Sequence, residues 1–370
     1  MSAEVYLDNA ATTFPKPPSV IKAVKSCISN YCANPGRSTH RLAMRSAEAV
    51  YETREEIANF IGLPSPERVV FTANATHALN LAIKGLINDR CHVITSDMEH
   101  NSVIRPLHAL TRKIGIEVSV YDSSLPLTEA IPPLIREDTK YIVTSLASNV
   151  TGRAVDVTEL SAIARKYSLT TIADASQYVG HVKLDLAKTP LDIVCAPGHK
   201  SLFGIQGSGF MAVCCSKTLG TLMEGGSGSE SFSPDMPAYL PERLEAGTLN
   251  VPSIVSLGAG IRYIKKLGID YVEEKIGLLT VRLENALDMP KIRLFGCDNG
   301  IASFLLEGSS SEKVAAELAE VGISVRSGLH CSPSMHRKLG TERFGLVRAS
   351  LSVLNEKRDI DKLYRRLVKM

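Results

Sequence analysis

The stretch DIVCAPGHKSLFGIQGSG, residues 192–209, carries the side chain whose setting most invites chemistry. The apolar run Ile193-Val194-Cys195-Ala196 reads as a strand, and Pro197-Gly198 ends it. His199 and Lys200 follow, before a turn marked by Gly204, Gly207 and Gly209. Lys200 therefore stands at a strand end, not on a charged helix face. An amine there is partly desolvated, which lowers its pKa and makes it a nucleophile towards an aldehyde, the chemistry of a Schiff base. An isolated His-Lys pair is usually solvated loop, so the reading depends on what the rest of the chain supplies.

Other strand ends also carry polar side chains that core packing does not require. Asp97, Glu99 and His100 follow an expected strand at 91–95, Asn149 one at 141–145, Asp174 and Gln177 one at 170–173. A strand at 69–72 turns through Ala73-Asn74-Ala75-Thr76 into a helical pattern with Leu79, Leu81, Ala82 and Leu86. Free amides and the positive end of a helix dipole make such a turn an anion site. Thr76 is there either as an N-cap, its commoner role, or as a hydroxyl for phosphate. Residues 6–13, small and polar, suit a chain passing close to a ligand, with Asn9 and Ala10 as candidates to face a substrate.

Together these residues meet the needs of pyridoxal 5'-phosphate. Its pyridine nitrogen stays protonated beside a buried carboxylate, for which Asp174 is placed. Gln177 can donate to the phenolic oxygen, His100 offers a flat ring to stack, and the turn at Ala75-Thr76 offers amides and a hydroxyl to the phosphate.

The motifs YLDNAAT, NATHALN, EHNSVIRP, ASNVTG, ADASQ, GHK, RLEAGTLN, VRSGLHCSP and VRASLSVLN together resemble the class V aminotransferase fold. Within it they are similar to the group II cysteine desulfurase and selenocysteine lyase branch, from about Tyr6 to Asn355. The resemblance implies a fold type I enzyme with Lys200 as Schiff-base lysine, Asp174 as pyridinium partner, Gln177 as ring-oxygen donor and His100 as stacking residue and proton shuttle. It further implies Thr76 and His199 at the phosphate, Asn149 near the cofactor ring, Arg348 on the substrate carboxylate and Cys331 as the persulfide-forming cysteine. Gly247-Thr248 matches a segment that reaches the neighbouring subunit's phosphate, which implies a homodimer with shared sites. Two positions depart from the family: Pro197 replaces a serine or threonine whose hydroxyl helps hold phosphate, and Ile205 replaces a proline.

The elements that must position these residues alternate between strand and helix, which predicts an α/β fold with a mostly parallel sheet between helices, and the resemblance implies that this sheet is of the seven-stranded type. Ligands collect beyond the carboxyl ends of such strands. At 370 residues and 44% hydrophobic, the chain has room for a large domain, expected over 15–257, and a smaller α+β C-terminal domain over 258–370; the resemblance implies that residues 1–14 pack near the smaller one. Helices are expected at 17–31 and 46–61. The NPGRSTHRLA segment between them is expected as a solvent-facing loop, with Arg37 and His40 in it.

A net charge of +3 and the lack of a dense basic block with interleaved aromatics argue against nucleic acid. No apolar run approaches ~20 residues, and MSAEVYLDNAAT is unlike a signal peptide, so a cytoplasmic protein off the membrane is expected. Eight cysteines without CxxC read as reduced thiols, with neither a disulfide framework nor a metal site.

Cys331 lies in the glycine- and proline-punctuated RSGLHCSP, expected as a mobile loop near Arg326, His330 and Arg337, whose positive charge would favour a thiolate. The expected activity is removal of sulfur or selenium from cysteine or selenocysteine, leaving alanine and a Cys331 persulfide that a sulfur-acceptor protein can receive. The alternatives are a lyase or aminotransferase of the same fold without persulfide transfer, and a catalytically silent scaffold in sulfur assembly.

Overall fold

The structure, a computed structural model, describes residues 4–36 and 38–370. Arg37 and its expected orientation lie outside the described residues. A short strand β1 (Val5–Tyr6) leads to helices α1 (Pro18–Asn30) and α2 (Arg41–Ile61). Helix α2 starts five residues before the expected helix at 46, because His40 caps it by accepting from the Ala43 N–H. The last three residues of the expected loop, Arg41 to Ala43, are thereby helical.

There follow β2 (Val69–Thr72), α3 (Ala75–Leu86), β3 (His92–Ser96), α4 (Asn101–Ile114), β4 (Glu117–Tyr121), α5 (Leu127–Ala130), β5 (Thr139–Ser145), α6 (Val157–Lys166), β6 (Thr170–Asp174), β7 (Ile193–Pro197) and β8 (Gly209–Val213). These strands form one seven-stranded sheet in the order β2-β8-β7-β6-β5-β3-β4, antiparallel at β8 and parallel elsewhere. The interior strands are buried at every residue, not at alternate ones, because helices cover both faces. Strand β8 had no counterpart in the expected elements. Its run GFMAV is wholly buried beside β7. Gly209 is required at its start, since a Cβ there would lie 2.9 Å from the backbone of Asn74. The turn at Asn74 can therefore pack closely over β8.

The remainder comprises α7 (Val251–Leu267), α8 (Ile269–Leu287), β9 (Ile292–Asp298), β10 (Ile301–Leu306), α9 (Ser311–Ala319), β11 (Ile323–Ser324), β12 (Arg326–Gly328), α10 (Pro333–Leu339), β13 (Leu346–Ser350) and α11 (Lys357–Leu367). A four-stranded antiparallel sheet, β12-β13-β10-β9, is its frame. Strands β11 and β12, separated by one residue, join different sheets. Ile323 and Ser324 pair in parallel with Val5 and Tyr6, whereas Arg326 pairs with Arg348. The N-terminal segment thus joins the C-terminal part of the fold. The expected boundary at Leu257 falls inside α7, which packs on α1 and α2. We propose that the smaller unit begins at Gly268, between α7 and α8.

Candidate active site

The carboxyl ends of β3, β5, β6 and β7 converge, as expected for an open α/β sheet. They meet the β12–α10 segment and β13 around a cavity of about 760 Å³ including its mouth. Ala10, Ala75, Thr76, His100, Asn149, Asp174, Gln177, His199, Lys200 and Arg348 all line it, as do Asn74, Ser102, Pro197, Arg326 and His330. Three sequence candidates do not line it: Asn9, Thr248 and Cys331.

Asp174 ends the buried strand β6, and its Oδ1 accepts the Ser176 N–H at 2.9 Å. Lys200 follows β7. It opens to the cavity but lies deep in protein, and burial pushes its pKa down to about 8, against the pull of the Asp174 carboxylate. His199 turns its backbone carbonyl to the Thr12 hydroxyl, the Thr13 N–H and the Lys16 ammonium. Its ring is held neutral, with a pKa lowered to about 4 by burial first and by Lys200 second, and its Nδ1 has no partner among the described residues.

Asn74, not Thr76, caps α3, by accepting the His77 N–H. The Thr76 hydroxyl is thereby released from capping, and it meets Ser102 Oγ at 2.9 Å. His100 caps α4 in turn. Behind it, the buried Glu99 accepts from the backbone and hydroxyl of Ser145 and from the hydroxyls of Thr144 and Ser96. Burial raises the Glu99 pKa to about 7, opposed by those hydrogen bonds.

Gln177 donates its amide to the Ala10 carbonyl at 2.9 Å, so this contact competes with the ring-oxygen role. Asn9 is a brace. Its amide bonds the Ser350 carbonyl and Asn355, and it stands outside the cavity lining. Arg348 is 1% exposed, with one arm on the Asn149 carbonyl at 2.9 Å, the other on Asp8 at 3.0 Å and an unpartnered Nε. Thr248 is exposed and stands away from its own chain's cavity.

The Cys331 segment differs from expectation. Cys331 is exposed, and its segment is tied by hydrogen bonds to Asn101 and Asn149. The Asn101 N–H donates to the Cys331 carbonyl at 2.8 Å, and the Asn149 amide to the His330 carbonyl at 2.7 Å. Ser332 returns its hydroxyl to Asn149 Oδ1 at 2.6 Å. Asn149 therefore spends its side chain on this segment and not on open cavity. His330 supplies no positive charge, since burial drives its pKa down to about 2. The helix α10, not anticipated from the sequence, extends the clasp: Lys338 bridges Asp97 and Asp122, the residues that follow β3 and β4. Sequence reasoning missed Ser102, Asp8 and Lys338 as functional partners. Only Ser102 left a signal, a hydroxyl two residues after His100 at a helix start.

A buried amine-bearing strand end, an opposed carboxylate and an anion turn around one cavity define a cofactor-binding α/β enzyme class. The chain belongs to the aminotransferase class-V family, whose model matches residues 5–363. It is 33% identical to a probable cysteine desulfurase from Methanothermobacter thermautotrophicus over 374 residues, covering 97% of this chain and 92% of that one. It is 32% identical to another from Pyrococcus abyssi, covering 96% and 92%. The apo structure of cysteine desulfurase from Thermococcus onnurineus NA1 matches with a TM-score of 0.89 at 30% identity, covering 98% of this chain and 93% of that one. The cysteine desulfurase CsdA (S-sulfonic acid) from Escherichia coli matches with a TM-score of 0.89 at 26% identity, covering 99% and 94%.

The family depends on pyridoxal phosphate, and the residues present fit that group. His199 Nδ1 and Arg348 Nε are buried without partners among the described residues, as groups awaiting an anion or a carboxylate would be. The close packing at Gly209 holds the Asn74–Thr76 turn at the cavity, and the depressed Lys200 pKa keeps its amine ready for an aldehyde. Among the described residues no group of His, Cys, Asp and Glu is arranged to hold a metal ion, and no helix is long and apolar enough to cross a membrane.

Proposed function

We propose that this chain is a pyridoxal-phosphate-dependent cysteine desulfurase that converts L-cysteine to L-alanine and collects the sulfur on Cys331. The observation that carries the reading is the clasp of Asn149. One side chain holds the segment of Cys331 while its carbonyl holds Arg348, so the sulfur acceptor and the carboxylate anchor share one support.

Lys200, Asp174, His100, Gln177, His199, Ala75 and Thr76 would hold the cofactor. When bound, it supplies an electron sink conjugated to the substrate's α-carbon. Arg348 orients the amino acid through its carboxylate, in place of its contact with Asp8. Its rigid fork makes lysine a poor substitute. The Cys331 thiolate attacks the substrate sulfur. An S–S bond forms as the Cβ–S bond breaks, and the electron pair left on Cβ takes a proton to complete alanine. His100, facing the same cavity with a pKa lowered by burial, is the neutral group able to move that proton. The persulfide then passes to an acceptor thiol or protein.

Thr248 would act in the partner's site of a homodimer. The exposed apolar side chains Phe14, Leu42, Met44 and Phe232 support such pairing. Eight free thiols suit a reducing, cytoplasmic setting. Because selenium leaves carbon more readily than sulfur, selenocysteine is a further substrate of the same site.

The test incubates the protein with L-cysteine and a thiol and measures alanine, pyruvate and sulfide together. Alanine with a Cys331 persulfide by mass spectrometry is expected. Cys331→Ala should abolish both and leave the cofactor spectrum unchanged, while selenocysteine turnover survives. The exclusion of Cys331 from the cavity lining favours one competing reading, a lyase without a protein persulfide. Desulfuration by Cys331→Ala at the wild-type rate, or pyruvate as product, would establish it.

A further inference from the structure

Resting on the reading of Thr76 as a phosphate ligand, we propose that Ser102 is a positioning residue that relays the hydrogen-bonding state of Thr76 to the imidazole of His100. The directions of the bonds follow from one fixed donor. The backbone N–H of Ser102 points to His100 Nδ1 at 3.0 Å. A backbone amide only donates, so Nδ1 bears no proton, and the neutral ring keeps its hydrogen on Nε2.

The Ser102 hydroxyl lies 2.8 Å from the same Nδ1, and towards an unprotonated nitrogen it must donate. Its oxygen then has only lone pairs to offer, so the Thr76 hydroxyl at 2.9 Å is the donor in the next link. The chain runs from Thr76 O–H to Ser102 Oγ, and from Ser102 O–H to His100 Nδ1. All three residues line the cavity, and Ser102 is 7% exposed, which leaves bulk water little access to it.

Each hydroxyl has one hydrogen to give. An anion that draws the Thr76 hydrogen turns Thr76 Oγ1 into an acceptor. The Ser102 hydroxyl then rotates towards Thr76, and Nδ1 retains the backbone N–H alone. No covalent bond changes and no proton changes owner. What changes is the number of donors on the ring, and with it the electron density that Nε2 presents to the cavity. Pro197 brings no hydroxyl to the same cavity, so more of the anion's demand falls on Thr76.

The test uses the full chain labelled with 15N-histidine and freed of cofactor, with His100 assigned by comparison with His100→Asn. Inorganic phosphate is titrated in, then pyridoxal phosphate, while the His100 ring nitrogens are followed by NMR. The wild type should show the Nε2–H tautomer and a shift of Nδ1 on adding either anion. Ser102→Ala should lose that response while still binding the anion, and Ser102→Thr, which keeps the hydroxyl, should restore it. An Nδ1–H tautomer, an unresponsive wild type, or a full response in Ser102→Ala would overturn the relay. Thr76→Ala separates the two readings. Undiminished anion binding in that variant removes the phosphate role of Thr76, and the relay with it. Weakened binding together with a full response in Ser102→Ala removes the relay alone.

Discussion

Two walls of the cavity are built in different ways. On the sheet side, Asp174 closes the buried strand β6, which its neighbours β5 and β7 fix by ladder hydrogen bonds, and Lys200 stands three residues past the end of β7, so both are placed by the sheet and the turn that leaves it. On the other side, His330 and Cys331 adopt left-handed backbone, φ +51° and +59°, on a segment with no ladder of its own at those residues. Such conformations persist only where surrounding contacts impose them. Here the contacts come from across the cavity, from Asn101, Asn149 and the Lys338 bridge. The first wall should therefore govern capture of the cofactor, and the second the fate of the sulfur.

The largest effect should come from the sheet side. Lys200→Ala should abolish covalent retention of the cofactor after borohydride reduction, as read by mass spectrometry. A reducible adduct on another lysine would break the contrast between the walls. In the wild type only the neutral amine reacts, so the rate of cofactor uptake should rise with pH and level off above about 8. The ordinary lysine range near 10 is not needed. Because the folded pKa lies below the unfolded one, the cofactor-free protein should also gain stability as pH climbs from about 8 towards that range.

Arg348 belongs to both walls, with its strand in the smaller sheet and its contacts on Asn149 and Asp8. Arg348→Ala should cost about 2–5 kcal/mol of substrate binding, the penalty for truncating a buried charged partner. Cofactor absorbance should persist. Unchanged KM and kcat would remove Arg348 from the substrate.

Asn149→Ala deletes both side-chain hydrogen bonds to the Cys331 segment. At about 1–3 kcal/mol for groups left unsatisfied, persulfide formation should slow by an order of magnitude or more. Cofactor affinity should move far less. If affinity falls as much as persulfide formation, Asn149 serves the cofactor and not the clasp.

Lys338→Met should have the smallest effect, about 1 kcal/mol or less, since part-exposed ion pairs are weak. The loss should shrink further with added salt and appear in persulfide formation alone. A salt-independent loss would point to packing of α10 instead.

The strand ends, the turn into α3, the α/β class and a mostly parallel sheet were legible in the sequence, because each rests on local apolar runs and the breaks that end them, whereas the seven-stranded type came from the family resemblance. Lys200, Asp174, His100 and Thr76 could be named from that pattern and a family resemblance, and they meet at one cavity. The partners of those residues were not legible. Asp8 meets Arg348 across 340 positions and Asn149 meets His330 across 181, and nothing local records such a pairing. Asn9 looked like a ligand residue because it is polar beside Ala10, yet its amide braces Ser350 and Asn355. Strand β8 and helix α10 escaped notice because one opens on Gly209 directly behind the glycine-marked turn and the other opens in proline-punctuated loop. Sequence thus determined which groups stand at the ends of elements, since periodicity and breakers act over a few residues. Only tertiary structure decided what each group touches, since hydrogen bonds between distant segments exist only once the two sheets are packed.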